Sequence, residues 1–236
     1  MLSAFVVARD AEGIIRPALL SLRRLAGELL LIVDRATTDG TAAAAAGLAD
    51  AVHVWDVDGT YEHVLNEAAA LCHGEWILHA HDDELFPPAF RAALPALLEA
   101  GDNWAFPRRH VVGDGRCYIA DAPLWPDYQL RLRSRGAWQA APWPRQVHAS
   151  PVPGGIAQAA IWHLKFLVKR PELRQQRLAR WGQLWPPALG EHYRRFSIVE
   201  DYAYRVQAIP EEPPEELAAM LAATSEERQD ADPVER

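Results

Sequence analysis

The sequence predicts an α/β fold built on a mostly parallel sheet flanked by helices. Three observations carry this reading. Short apolar strand patterns alternate with helical ones through the first hundred residues, the signature of strand–helix–strand units. Each of the first four strand patterns runs into a polar stretch that holds an acid. The chain has 236 residues, of which 50% are hydrophobic and 24% charged, enough for one full core and too few for two large domains.

Leu2 to Val7 is a buried-strand pattern that stops at Arg9-Asp10. Pro17 suits an early helix position, and Ile15, Leu19, Leu22 and Leu25 recur at helical spacing. Glu28 to Val33 is a second strand ended by Asp34; Thr41 to Leu48 is Ala-rich and helical; Ala51 to Trp55 is a third strand running into Asp56-Val57-Asp58. Thr60 suits the cap of a helix ending near Leu71, with Val64, Leu65, Ala68 and Leu71 inward. Glu75 to Ala80 is a fourth strand, followed by His81-Asp82-Asp83-Glu84, and Pro87-Pro88 opens a helix to about Ala100.

Beyond Gly101 the pattern changes to a mixed region. Trp104–Val112, Arg116–Ala120, Tyr128–Arg133 and Ile156–Leu164 read as strands, and Lys169–Trp181 as a basic helix. Most of the nine tryptophans are expected in the core, although an aromatic face also suits a sugar ring. Residues 210–236 hold nine acids and two bases, which predicts an acidic tail, a frayed helix or disorder. The expected organisation is one domain over 1–209, divided near residue 100, and that tail.

The net charge of −8 therefore sits in the tail, which carries −7, and the body is near neutral. No nucleic-acid partner is expected. Nine Lys/Arg against four acids between His163 and Val206 make a local basic face, solvated or facing a phosphate. At most it offers peripheral contact with the inner face of a membrane, since it lacks a marked apolar side. Cys72 and Cys117 are too few for a disulfide framework. The opening apolar run is too short for a signal peptide, and no run reaches a membrane span. A cytoplasmic setting is the expectation.

Ligands of parallel α/β sheets bind beyond the carboxyl ends of the strands. Acids at Asp10, Asp34, Asp56/Asp58 and Asp82/Asp83 would crowd one such rim, which packing does not explain. Carboxylates suit Mg²⁺ or Mn²⁺, ions that bind through one or two carboxylates plus substrate phosphates.

The order of these pieces resembles a known family. Phe5 to Glu12, the run Leu31-Ile32-Val33-Asp34-Arg35-Ala36-Thr37-Thr38-Asp39-Gly40-Thr41, Asn66-Glu67-Ala68 with Gly74-Glu75-Trp76-Ile77-Leu78, and His81-Asp82-Asp83-Glu84 are similar to the landmarks of the inverting family-2 glycosyltransferases of GT-A fold. Leu130-Arg131-Leu132-Arg133, Val147-His148-Ala149 and Ile161-Trp162-His163-Leu164 resemble those of a bacterial branch that builds surface polysaccharides and lipopolysaccharide cores. The resemblance implies a GT-A-like fold with a nucleotide-sugar-binding half over 1–100 and an acceptor-side half over 101–209. It implies transfer with inversion from a nucleotide-diphospho-sugar to a glycan or lipid-linked acceptor, assisted by Mn²⁺ or Mg²⁺. Asp34 would read the nucleobase beside Ala8 and Arg9, Asp39 would fix the signature loop, and Asp58 and Asp82 would lie on the nucleotide side. Asp83 would bind the metal, with Asp82 and His163 as further ligands. His81 stands where the family has its first acid, and Ala149 where the branch has a glutamate. His148 and Asp127 are then the candidates for the base that an inverting transfer requires.

Two other readings compete. Asp56-Val57-Asp58-Gly59-Thr60 copies the first motif of haloacid-dehalogenase-type phosphatases, but it falls on the third strand, and the lysine expected before the late acids is missing. A degenerate transferase fold that only binds nucleotide-sugars is the second; His81 and Ala149 favour it, whereas the retained Asp34, Asp39 and Asp83 oppose it.

Overall fold

The structure, a computed structural model, describes residues 1–57, 61–146, 149–182 and 190–230. Its strands are β1 (Leu2–Ala8), β2 (Glu28–Asp34), β3 (Ala51–Trp55), β4 (Trp76–His81), β5 (Glu84–Leu85), β6 (Asn103–Val112), β7 (Cys117–Ile119), β8 (Asp127–Ser134), β9 (Gly155–Ile156), β10 (Ile161–His163) and β11 (Val206–Ala208). Its helices are α1 (Glu12–Arg23), α2 (Thr41–Ala44), α3 (Leu65–Leu71), α4 (Pro88–Ala100), α5 (Arg135–Ala140), α6 (Lys165–Val168), α7 (Pro171–Gly182), α8 (Gly190–Ser197) and α9 (Leu217–Asp230).

The strand order is β11-β7-β6-β8-β4-β1-β2-β3. β3, β2, β1 and β4 are parallel neighbours, whereas β8 runs antiparallel to β4 and β6 antiparallel to β8. β10 lies parallel to β6 and antiparallel to β5, so the second half is mixed. The chain winds from β1 outward to β3, then returns to β4 on the other side of β1. That reversal puts a crevice at the carboxyl ends of β1, β2 and β4, where open α/β sheets hold ligands. Both faces of β1 and β2 are covered, so Phe5, Val6, Leu31 and Ile32 are all buried, and these strands read as continuous apolar runs.

Gly74 lets the turn before β4 approach β1: a Cβ there would meet the Ser3 amide nitrogen at 2.7 Å. Four sequence expectations need correction. α1 starts at Glu12, so Pro17 is an interior residue, and the turn before it loses one backbone bond. Beyond Ala44 the Ala-rich stretch turns instead of continuing as helix. Thr60 lies outside the described residues; Tyr61–His63 form a 3₁₀ turn, and the helix α3 begins only at Leu65. The stretch 156–164 is two short strands, not one. The acidic segment also does more than fray. Leu217 and Met220 on α9 are buried in the main core, and Arg24 pairs with Glu215 and Glu216. Apolar residues three apart were enough to dock it against α1.

Candidate active site

A cavity of about 440 Å³ opens at that rim. Ala8, Arg9 and Asp34 line it from β1 and β2, His81, Asp82 and Asp83 from the end of β4, and Asp127 and His163 from β8 and β10. Of the other expected residues, Asp39 is exposed and does not line the cavity, and Asp58 and His148 fall outside the described residues.

The first wall is a laced pair of loops. Asp39 accepts hydrogen bonds from the Thr41 amide at 3.0 Å and the Glu12 amide at 3.0 Å, while Thr41 Oγ1 accepts from the Ala11 amide at 2.8 Å. Asp10 takes the Thr38 amide at 2.8 Å. These bonds fix Asp34 at the cavity edge, where it accepts from the Ala36 amide at 3.1 Å and from Arg9 at 3.4 Å. Asn66 works on the opposite side, clasping the Trp143 backbone through Nδ2 at 2.8 Å and Oδ1 at 2.7 Å, which ties α3 to the chain just after α5.

Beneath the acids lies a buried ion cluster. Glu84, fully buried, accepts from Arg108 at 3.1 Å and from Arg131 at 2.8 and 3.0 Å. Burial alone would raise its carboxyl, but Arg131 and its neighbours hold it well below the usual carboxylate range. Arg131 also donates to Nε2 of His79 at 3.0 Å and of His81 at 3.2 Å. Burial, then Arg131, push His81 down to about 3. His81 is therefore a neutral acceptor turned toward Arg131, which accounts for an imidazole where the resemblance expects an acid.

Asp82 and Asp83 sit in the turn between β4 and β5, both buried. Lys169 Nζ lies 2.8 Å from Asp82 Oδ1 and 2.8 Å from Asp83 Oδ2. Burial would raise both carboxyls; at Asp83 the Lys169 ammonium overcomes it, whereas Asp82 stays raised.

A relay of four residues fixes the other side of Asp83. Asp127 Oδ2 is 2.9 Å from His110 Nε2, and His110 Nδ1 is 3.1 Å from His163 Nδ1. His163 Nε2 is 3.2 Å from Asp83 Oδ1. Burial raises the Asp127 carboxyl, but Arg108 and His110 hold it well below its ordinary range, so it is ionised and His110 Nε2 carries a proton toward it. Burial also keeps both imidazoles neutral, pushing His110 to about 4 and His163 well below its usual value. His110 Nδ1 must then accept, and His163 Nδ1 must donate. The proton count leaves a lone pair on His163 Nε2 facing Asp83 Oδ1, a buried oxygen without a hydrogen bond.

Two facing lone pairs repel unless a cation lies between them. Cis ligands about 2.1 Å from an octahedral ion stand about 3.0 Å apart, close to the separation found. Asp83 and His163 therefore fit a divalent cation. No third His, Cys, Asp or Glu completes the set among the described residues, which suits an ion that shares its shell with substrate oxygens and water.

The lipopolysaccharide core biosynthesis glycosyltransferase LpsC of Rhizobium meliloti (strain 1021) is 34% identical over 191 residues, covering 74% of this chain and 67% of the relative. The chain belongs to this glycosyltransferase family. No family model matches it. Among solved structures, residues 1–349 of S. aureus TarS align at a TM-score of 0.49 with 12% identity, covering 80% of this chain and 68% of that one. Glucosyl-3-phosphoglycerate synthase from Mycobacterium tuberculosis, with Mn²⁺, uridine diphosphate and phosphoglyceric acid, aligns at 0.47 with 15% identity, covering 92% and 91%.

The cavity and the side chains that support it include residues that the sequence reading missed. Arg108 and His110 come from β6 and Lys169 from the join between α6 and α7; nothing local marks them. The basic segment, read as a face either solvated or turned to a phosphate, contributes Lys165, Lys169, Arg174 and Arg177 to the cavity wall. Among the described residues no helix is long and apolar enough to cross a membrane.

The relay makes a prediction. His110→Phe keeps the aromatic packing against Phe166 and Phe196 but removes the acceptor for His163 Nδ1–H. His163 is then free to place its proton on Nε2, toward Asp83. Mn²⁺ affinity, measured by paramagnetic resonance of the free ion, is expected to fall about 10- to 100-fold. An unchanged affinity would show that the relay does not orient His163.

Proposed function

We propose that this glycosyltransferase moves a sugar, with inversion, from a nucleoside-diphosphate donor to a glycan or lipid-linked acceptor, assisted by Mn²⁺ or Mg²⁺. The observation that carries the reading is the facing pair of Asp83 Oδ1 and His163 Nε2 in one cavity with Asp34. Asp83 and His163 would hold the ion. When bound, it supplies charge neutralisation to the departing diphosphate. Asp34, with Arg9 and the Ala8 backbone, would receive the nucleobase at the carboxyl ends of β1 and β2.

Asp127 is assigned to orientation and not to proton abstraction. Arg108, His110 and Gln129 already occupy its lone pairs, with Arg108 Nε at 2.8 Å and Gln129 at 2.6 Å, and a carboxyl held so low is a weak base. The base role then falls to His148 or to Glu62, a carboxylate lining the cavity. Glu62→Gln and His148→Ala separate them: loss of the true base costs about 10²- to 10⁴-fold in turnover with donor affinity nearly unchanged.

A thermal-shift screen of UDP-, GDP- and dTDP-sugars with and without Mn²⁺ tests the reading. At least one donor is expected to raise the melting point, more strongly with Mn²⁺. A chain that no sugar nucleotide stabilises in either condition is not this enzyme.

A further inference from the structure

The middle acid of the His81-Asp82-Asp83 triplet is not needed by the pair that fits a metal. Asp82 Oδ1 is instead 2.8 Å from Lys169 Nζ, and the same ammonium is 2.8 Å from Asp83 Oδ2, the oxygen turned away from His163. Two adjacent buried carboxylates do not both stay ionised without compensating charge. Lys169 is the largest attraction on both. Its backbone is pinned on two sides: its amide donates to the Lys165 carbonyl at 3.0 Å, and its own carbonyl accepts from Arg174 Nε at 3.0 Å. An ammonium has three N–H donors; two contacts are spent on the acids, leaving one for a ligand in the cavity that Lys169 lines.

We propose that Lys169 is a tethered second cation of the donor site, held at the cavity wall by Asp82 and Asp83 so that it meets the donor's diphosphate, and that Asp82 is the anchor of this lysine and not a metal ligand. The proposal rests on the donor reading above. It explains why an extra acid in the triplet comes with a lysine from a distant segment. A diphosphate beside one divalent ion still carries uncompensated charge, and a fixed ammonium in a desolvated pocket attracts it strongly.

The test measures two quantities on the full chain: Mn²⁺ affinity without nucleotide, by paramagnetic resonance, and UDP and GDP affinity in saturating Mn²⁺, by calorimetry. Lys169→Met is expected to lose 10- to 100-fold in nucleoside-diphosphate affinity while its Mn²⁺ affinity does not fall. Lys169→Arg, which keeps the charge, stays within about fivefold of wild type. Asp82→Asn keeps Mn²⁺ affinity within about fivefold and weakens the diphosphate, whereas Asp83→Asn loses Mn²⁺. If Lys169→Met fails to fold, Lys169→Gln and Asp82→Asn read the same two quantities. The proposal is overturned if Lys169→Met binds diphosphate as tightly as wild type, or if Asp82→Asn loses Mn²⁺ as Asp83→Asn does. If wild type binds neither UDP nor GDP, the donor reading itself fails and takes this proposal with it.

Discussion

Asp83→Ala is expected to abolish the metal-dependent part of nucleoside-diphosphate affinity, at least a hundredfold, and to cut sugar transfer by about 10³-fold or more. The size reflects the several kcal/mol of charge stabilisation that a divalent ion gives a departing diphosphate. The fold should survive. Lys169 keeps Asp82 as a one-to-one partner, and the Asp83 carbonyl still accepts from the Leu164 amide at 2.8 Å. Calorimetry with UDP, with and without Mn²⁺, gives the affinities, and a circular-dichroism melt checks the fold. Wild-type metal dependence in the variant would mean that the ion binds elsewhere.

Glu84→Gln should act on stability first. Glu84 is fully buried between Arg108 and Arg131. A neutral amide leaves two guanidiniums with Asp127 as the remaining carboxylate in contact with Arg108. Breaking a buried ion pair from one side costs about 3–5 kcal/mol, which for a chain of this size lowers Tm by about 6–20 °C. Removing one cation as well, in Glu84→Gln/Arg131→Met, should recover part of the loss, because the two residues share one network. Urea unfolding of the single and double variants measures both. A single-variant cost below about 1 kcal/mol would show that the cluster is solvated and not a buried support for the turn that carries Asp82 and Asp83.

The contrast between Asp83 and Glu84 shows what could be read from the chain. The strand-then-acid pattern located the rim, because parallel strands of one sheet end on the same side and their polar ends have nowhere else to go. Asp34, Asp83 and His163 do share a cavity. The division of labour within His81-Asp82-Asp83-Glu84 was not legible. It depends on Arg108, Arg131, His110 and Lys169, which arrive from other strands and a helix join. Leu130-Arg131-Leu132-Arg133 alternates like a strand with one wet face, yet both arginines are buried. In Arg131 the reason is Glu84 and two neutral imidazoles; in Arg133 it is the carbonyls of Ala137 and Ala141 and the ring of Trp138, 4.7 Å from the guanidinium carbon. Composition misled at the other end of the chain, where nine acids drew attention from Leu217 and Met220. Net charge reports on solvation, but docking a helix takes only a few apolar side chains on one face.

One divalent ion, held by Asp83 and His163, should bind the nucleoside diphosphate in the cavity at the ends of β1, β2 and β4. Crystals of the protein grown with UDP and Mn²⁺, measured at the manganese absorption edge, test this most directly. The expected result is one anomalous peak within bonding distance of both Asp83 Oδ1 and His163 Nε2, touching the diphosphate. UDP seated in the cavity with no peak at that pair, or with manganese on Asp82 in place of His163, would contradict it.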